Sequence, residues 1–104
     1  MNKTIVIVED DELNTRLFND LLQANGYDTL QTGDGWGGIA LTREHKKDLI
    51  LMDVQLPTIN GLEVAREIKS DEGLTDIPII AVTAFASKGV ETQIMESGFD
   101  GYFA

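Results

Sequence analysis

The chain contains no cysteine, which excludes disulfides, thiolate metal sites and thiol nucleophiles and suits a reducing compartment. Basic residues are scarce: 8 Lys and Arg stand against 18 Asp and Glu, a formal net charge of −10. Charge of that sign repels nucleic acid and anionic lipid, so neither is expected as a direct partner. No apolar run is long enough to span a bilayer, and the basic-apolar-small pattern of a signal peptide is missing, so a cytoplasmic protein is expected. Histidine occurs once. His45 lies between Glu44 and Lys46 at the tail of a predicted short helix, a solvated position that argues against a ligand or general base. No repeat, low-complexity run or linker interrupts the 104 residues, which predicts a single domain with one core.

What the chain has is an alternation of apolar runs with helix-like segments, the pattern of a parallel α/β sheet. Ile5–Val8 and Leu49–Met52 are apolar throughout, as strands buried on both faces must be. Leu13, Leu17, Leu21 and Leu22 fall at helical spacing before a stop at Gly26, which predicts a first helix with Leu17, Phe18, Leu21 and Leu22 mostly in the core. Asn14, Thr15 and Phe18 are candidates for a partner-facing surface on it. Further strands are expected at 27–32, 49–54, 77–82 and 102–104, and further helices at 39–45, 62–69 and around Val90–Met95. The count is five strands and four helices, and one sheet face lacks a closing helix.

Carboxylates end two of the apolar runs: Glu9-Asp10-Asp11 after the first, Asp53 after the third. In an open parallel sheet the carboxyl ends of the strands converge on one crevice. Like charges gathered there repel unless a hard cation joins them, which points to a Mg²⁺ site around Asp53. Asp10 and Asp53 suit direct ligation, Glu9 a water-mediated contact, and the Gln55 backbone carbonyl a further direct position. A bland reading, that these acids cap the following helix, suits Asp11 but not Asp53, because Leu56-Pro57 comes next and no helix begins there.

Thr83 ends the fourth strand, where its hydroxyl would stand beside Asp53; ordinary β-branched strand filler is the alternative. Tyr102 reads either as core packing or as a ring that swings between exposed and buried states. Gly33-Asp34-Gly35-Trp36-Gly37-Gly38 fits the G-x-G-x-x-G pattern of dinucleotide sites. It comes after the second strand rather than the first, with Asp53 downstream, so a mobile loop is expected.

Together Ile7-Val8-Glu9-Asp10-Asp11, Leu51 to Gly61, Ala81-Val82-Thr83-Ala84 and Gly101-Tyr102 resemble the receiver domain of bacterial two-component response regulators. The segment Val8–Asn14, with Leu17-Phe18, Asp20–Leu22, Gly26-Tyr27 and Leu30–Thr32, is similar to stand-alone receivers that act in cell division. The resemblance implies a flavodoxin-like doubly wound fold of strand order 2-1-3-4-5. It implies that Asp53 accepts a phosphoryl group from a sensor histidine kinase or a histidine phosphotransfer protein. Glu9 and Asp10 would hold Mg²⁺, Thr83 and Tyr102 would relay the change, and downstream regulatory proteins would read it. Receivers of this kind also carry a lysine directly after the last strand, then a final helix. The sequence stops at Ala104 before either, which predicts weakened switching and an uncovered apolar sheet surface.

Three rivals differ in class. An aspartate-nucleophile phosphatase of the haloacid dehalogenase type needs an acid two residues after the nucleophile, where this chain has Gln55. A pseudo-receiver that binds partners without phosphorylation would have no use for the complete Glu9, Asp10 and Asp53 set. A nucleotide-binding flavodoxin relative would rely on the glycine segment alone.

Overall fold

A computed structural model of the chain describes residues 3–44, 47–82 and 88–103. The expectations placed on His45, Thr83, Ala84 and Ala104 therefore lie outside the described residues. In chain order the elements are β1 (Thr4–Val8), α1 (Glu12–Ala24), β2 (Asp28–Thr32), α2 (Gly35–Glu44), β3 (Leu49–Asp53), α3 (Gly61–Ser70), β4 (Ile79–Val82), α4 (Lys88–Glu96) and β5 (Gly101–Phe103). All strands are parallel, in the order β2-β1-β3-β4-β5. This is the expected doubly wound sheet, and β1 and β3 lie side by side at its centre with Val8 opposite Met52.

One face of the sheet carries the main core. Val6 and Val8 of β1, Ile50 and Met52 of β3, and Ile79 and Ala81 of β4 pack with Ile39, Val64, Ala65, Ile68 and Ile94 of α2, α3 and α4. Alternate residues of the same strands, Ile5, Ile7 and Leu51, are buried on the other face, toward α1. Both faces being covered is why β1 and β3 are apolar at every position.

Helix α1 corrects an expectation. Leu13, Leu17 and Leu21 are 64%, 58% and 62% exposed, and no residue of α1 is fully buried. Helical geometry is the reason: the stripe at 13, 17 and 21 is turned about 100° away from Phe18 and Leu22. Those two side chains are half-buried and take what cover α1 obtains from the sheet. Among the described residues no second helix lies on that face. Met95, at helical spacing in α4, is likewise half-exposed.

The glycine segment is a packed helix start rather than a mobile loop. Helix α2 begins at Gly35, four residues ahead of the expected Ile39. The Asp34 carboxylate accepts from Gly37 N at 2.8 Å, as a helix cap does. A Cβ at Gly35 would stand 2.4 Å from Val64 Cγ2, and one at Gly38 2.8 Å from Val8 Cγ2. The glycines thus let α2 approach β1 and α3 closely, and their backbone is committed to that packing.

At the opposite end of the sheet, Lys69 of α3 ties the start of β4 to the start of β5. Its Nζ donates to Thr75 O at 3.1 Å, Ile77 O at 2.9 Å and Asp100 Oδ2 at 3.0 Å. Asp100 also accepts from Ile79 N at 2.9 Å. Desolvation raises the Asp100 carboxyl, but the Ile79 N–H and the Lys69 ammonium outweigh it and hold the group below its ordinary value. Replacing Lys69 by Met keeps the packed stem and removes the donor. Urea denaturation is expected to show a loss of about 2 kcal/mol, discounted for the half-exposed Asp100.

Candidate functional site

The first strand delivers Glu9 and Asp10 to the carboxyl rim, and the third delivers Asp53. Glu9 is pinned by backbone pairing, its N–H donating to Thr32 O at 3.1 Å. Its carboxylate accepts from Asp11 N at 3.2 Å. Asp11 itself caps α1, accepting from Leu13 N at 2.8 Å and Asn14 N at 3.2 Å. The bland reading of Asp11 is therefore the right one. Thr15 donates back to Glu9 O at 3.3 Å and Asp11 O at 3.0 Å, which ties the loop to the helix.

Asp53 is oriented by the residues just after it. Its Oδ1 accepts from Gln55 N at 3.0 Å, and Val54 N pairs with Val82 O at 3.3 Å. Helix α3 begins immediately beneath: Gly61 N donates to Val54 O at 2.9 Å, and a Cβ on Gly61 would fall 2.4 Å from Asp53 O. Only glycine permits that approach. Asn60 caps the helix through Leu62 N at 2.7 Å. Between them, Ile59 N donates to Pro57 O at 2.7 Å around Thr58, whose φ is +69°. A one-residue turn with positive φ is strained for a β-branched residue.

The three carboxylates meet. One oxygen from each of Glu9, Asp10 and Asp53 lies within 4.8 Å of the others. Glu9 is buried, Asp53 half-buried and Asp10 exposed, so the cluster runs from the interior to the surface. Burial pushes the Glu9 carboxyl up to about 7; the Asp11 N–H opposes the rise, and the charges of Asp53 and Asp10 add to it. Asp53 is also raised, first by burial, with the Gln55 N–H and a hydrogen bond to Glu9 pulling the other way. Both carboxyls are thus harder to ionise than ordinary ones. A set of oxygen donors converging on one point, negatively charged and held from a rigid sheet, fits a hard divalent cation. An open groove of about 730 Å³, lined by Glu9, Asp10, Thr15, Arg16, Gln31 and Thr32 among others, gives access along α1.

Residues 5–104 match the response regulator receiver domain. The chain belongs to that family. Over all 104 residues it is 53% identical to the polar-differentiation response regulator DivK of Brucella ovis, covering 85% of that protein, and 52% identical to DivK of Brucella anthropi. The receiver domain of a sensor histidine kinase from Pseudomonas aeruginosa, with a magnesium ion coordinated in its active-site cleft, superposes with a TM-score of 0.93 at 32% identity. That match covers 100% of this chain and 85% of the other. A response regulator from Chloroflexus aurantiacus reaches a TM-score of 0.96 at 23% identity, with 100% and 85% coverage, and supports the fold. This is a phosphoacceptor signalling domain, related to the polar-differentiation response regulator DivK, rather than a conventional enzyme.

Of the receiver residues expected from the sequence, Glu9, Asp10 and Asp53 are brought together, and Gln55 lies directly after them in the loop. Tyr102 is on β5, opposite Ala81 of β4 and 37% exposed. Glu91, in the first turn of α4, raises the Tyr102 phenol above its ordinary value. Sequence reasoning passed over Glu91, because nothing in a linear reading links position 91 to position 102.

The crowding of the acids makes stability depend on pH. In EDTA, the raised Glu9 means that the folded state binds a proton the unfolded chain would release. Stability from that group is full below its ordinary value of 4.5 and is lost as pH rises through about 7. A fall on the order of 2 kcal/mol between these limits, discounted for water in the open groove, is expected in chemical denaturation, and Glu9→Gln should flatten it. Thr58→Gly, by relieving the positive φ, is expected to raise the urea midpoint, adding about 1 kcal/mol.

Proposed function

We propose that residues 1–104 act as a single cytoplasmic receiver domain that accepts a phosphoryl group on Asp53 within a two-component phosphorelay. The observation that carries this reading is the meeting of Glu9, Asp10 and Asp53 at the rim. The donor is a phosphohistidine on a sensor kinase or a histidine phosphotransfer protein. An Asp53 carboxylate oxygen attacks phosphorus, the P–N bond breaks with its electron pair leaving on the imidazole, and an acyl phosphate forms. Glu9, Asp10, Asp53 and the Gln55 backbone carbonyl are the residues that would hold Mg²⁺. Bound there, the ion neutralises the anionic charge gathered around the phosphorus.

The chain's own groups supply position. The Gln55 N–H on Oδ1 fixes the Asp53 carboxylate plane before the donor arrives. Thr83 donates a hydrogen bond to the new phosphoryl oxygens and draws the end of β4 inward. Tyr102 then reorients, biasing a pre-existing equilibrium of the α4–β5 face that downstream proteins read. Water slowly hydrolyses the acyl phosphate, since no acid stands at position 55 to speed departure. The same amide disfavours the dehalogenase-type phosphatase. Identity to the polar-differentiation regulator over the full chain supports a role in cell-division control.

Incubation with acetyl phosphate and Mg²⁺ should add one phosphoryl mass to the intact protein. Asp53→Ala and EDTA should each abolish the adduct, and an adduct in the variant would overturn the assignment. Excess Mg²⁺ should raise Tm more at pH 8 than at pH 5, because at the lower pH protons compete for the Glu9 and Asp53 oxygens.

A further inference from the structure

A second cleft opens between the loop that follows β3 and helix α4, with a volume of about 400 Å³. Its apolar lining is Val54, which is buried, and the half-buried Leu56, Leu62 and Val90. Its polar lining is three exposed carboxamides, those of Gln55, Asn60 and Gln93. No charged residue lines it among the described residues, on a chain whose formal net charge is −10. The groove along α1 is the opposite, with Glu9, Asp10, Glu12, Arg16 and Asp20 in its wall.

One wall of the cleft is the backbone that positions the acceptor. Gln55 N donates to Asp53 Oδ1 at 3.0 Å, Val54 N to Val82 O at 3.3 Å, and Val54 O accepts from Gly61 N at 2.9 Å. Asn60 commits its Oδ1 to Leu62 N at 2.7 Å, which leaves its amide hydrogens to donate outward. The other wall is α4, which supplies Val90 and Gln93. That helix is fixed by Ile94, fully buried in the core, and by Ser97 Oγ donating to Gln93 O at 2.7 Å. The bond engages the Gln93 backbone, and the carboxamide beyond it stands exposed.

A carboxamide carries the same donor and acceptor pair as a peptide group. Aliphatic walls flanked by three such groups match one apolar residue of an extended chain, its side chain among Val54, Leu62 and Val90 and its peptide groups against the amides. A charged side chain would lose hydration there and find no counter-charge. We propose that this cleft docks an uncharged apolar residue from an extended segment of a partner protein, and that its occupation is coupled to phosphoryl acceptance on Asp53. The coupling rests on the phosphoacceptor reading given above; the docking site rests on the cleft alone. The route between them is short, because a residue bound against Val54 and Gln55 restrains the N–H that orients the Asp53 carboxylate. By linkage, a docked residue that steadies this loop favours the phosphoryl group, and the phosphoryl group favours the docked residue by the same factor.

N-acetyl-leucinamide is the minimal residue of this kind. Titrated into ¹⁵N-labelled protein, it should shift the backbone amides of Val54, Gln55, Leu62 and Val90 saturably. A dissociation constant on the order of 1–10 mM is expected for a ligand of about a dozen heavy atoms. The amides of N-acetyl-glutamate and N-acetyl-lysine should bind ~10-fold more weakly. Val90→Trp, which fills the cleft, should abolish the shifts. Gln93→Ala, at an exposed position, should weaken binding ~3–5-fold with Tm unchanged. With Mg²⁺ and the phosphoryl analogue beryllofluoride present, N-acetyl-leucinamide should bind ~5-fold more tightly. The absence of a saturable shift, equal binding of the charged amides, or undiminished binding in both variants overturns the docking site and leaves the acceptor reading intact. The same amides shifting with protein concentration alone assigns the cleft to a second copy of the chain and overturns the peptide reading. An affinity unmoved or lowered by beryllofluoride overturns the coupling. Failure of the parent protein to bind beryllofluoride overturns the acceptor reading and with it the coupling, whatever the probe does.

Discussion

Repulsion among three carboxylates is the constraint around which the rim is built. Glu9, Asp10 and Asp53 are held within 4.8 Å of one another although each, when charged, disfavours the other two. A sheet can impose such crowding because β1 and β3 are adjacent and in register up to Val8 and Met52, so the next residues of both strands are carried to the same place. The strands are themselves held by apolar burial on both faces. Core packing thus holds together what electrostatics would drive apart, and both Glu9 and Asp53 are harder to ionise for it.

The same logic explains the surrounding backbone. Gly61 lets α3 start hard against β3, the Asn60 cap fixes its first turn, and the strained Thr58 joins the two. Asp11 closes the other side by capping α1 while its N–H steadies Glu9. Each acid is therefore restrained by a hydrogen bond from a neighbouring N–H or by the strand it terminates. That suits a group required to accept phosphorus at one angle, since positioning provides most of the catalysis in phosphoryl transfer.

The molecule is unevenly built about its sheet. The face toward α2, α3 and α4 is close-packed, with glycines bringing α2 onto β1 and α3. The face toward α1 is covered more thinly, and Leu13, Leu17 and Leu21 face away from it. At the far edge, Lys69 and Asp100 clamp the root of β5 while the Tyr102 ring stands partly exposed.

Much of the fold was legible in the residue pattern, because strands buried on both faces must be apolar throughout and the alternation with helices admits few topologies. The rim acids were legible for the same reason: a carboxylate ending such a run has to emerge where the strands end. Helix α1 misled because leucines at helical spacing mark an apolar stripe but do not say which side of the helix meets the sheet. The glycine segment misled because glycine signals freedom in an isolated chain, whereas against Val8 and Val64 it signals close approach. The amino-acid order by itself determined the parallel sheet and the identity of the acids at its rim, since both arise from local hydrophobicity and periodicity. Only the tertiary structure decided that Glu9 and Asp53 are buried beside each other, which raises both carboxyls, and that Lys69 of α3 meets Asp100 at the root of β5. Burial and contacts between distant segments come from packing, which no local stretch of chain encodes.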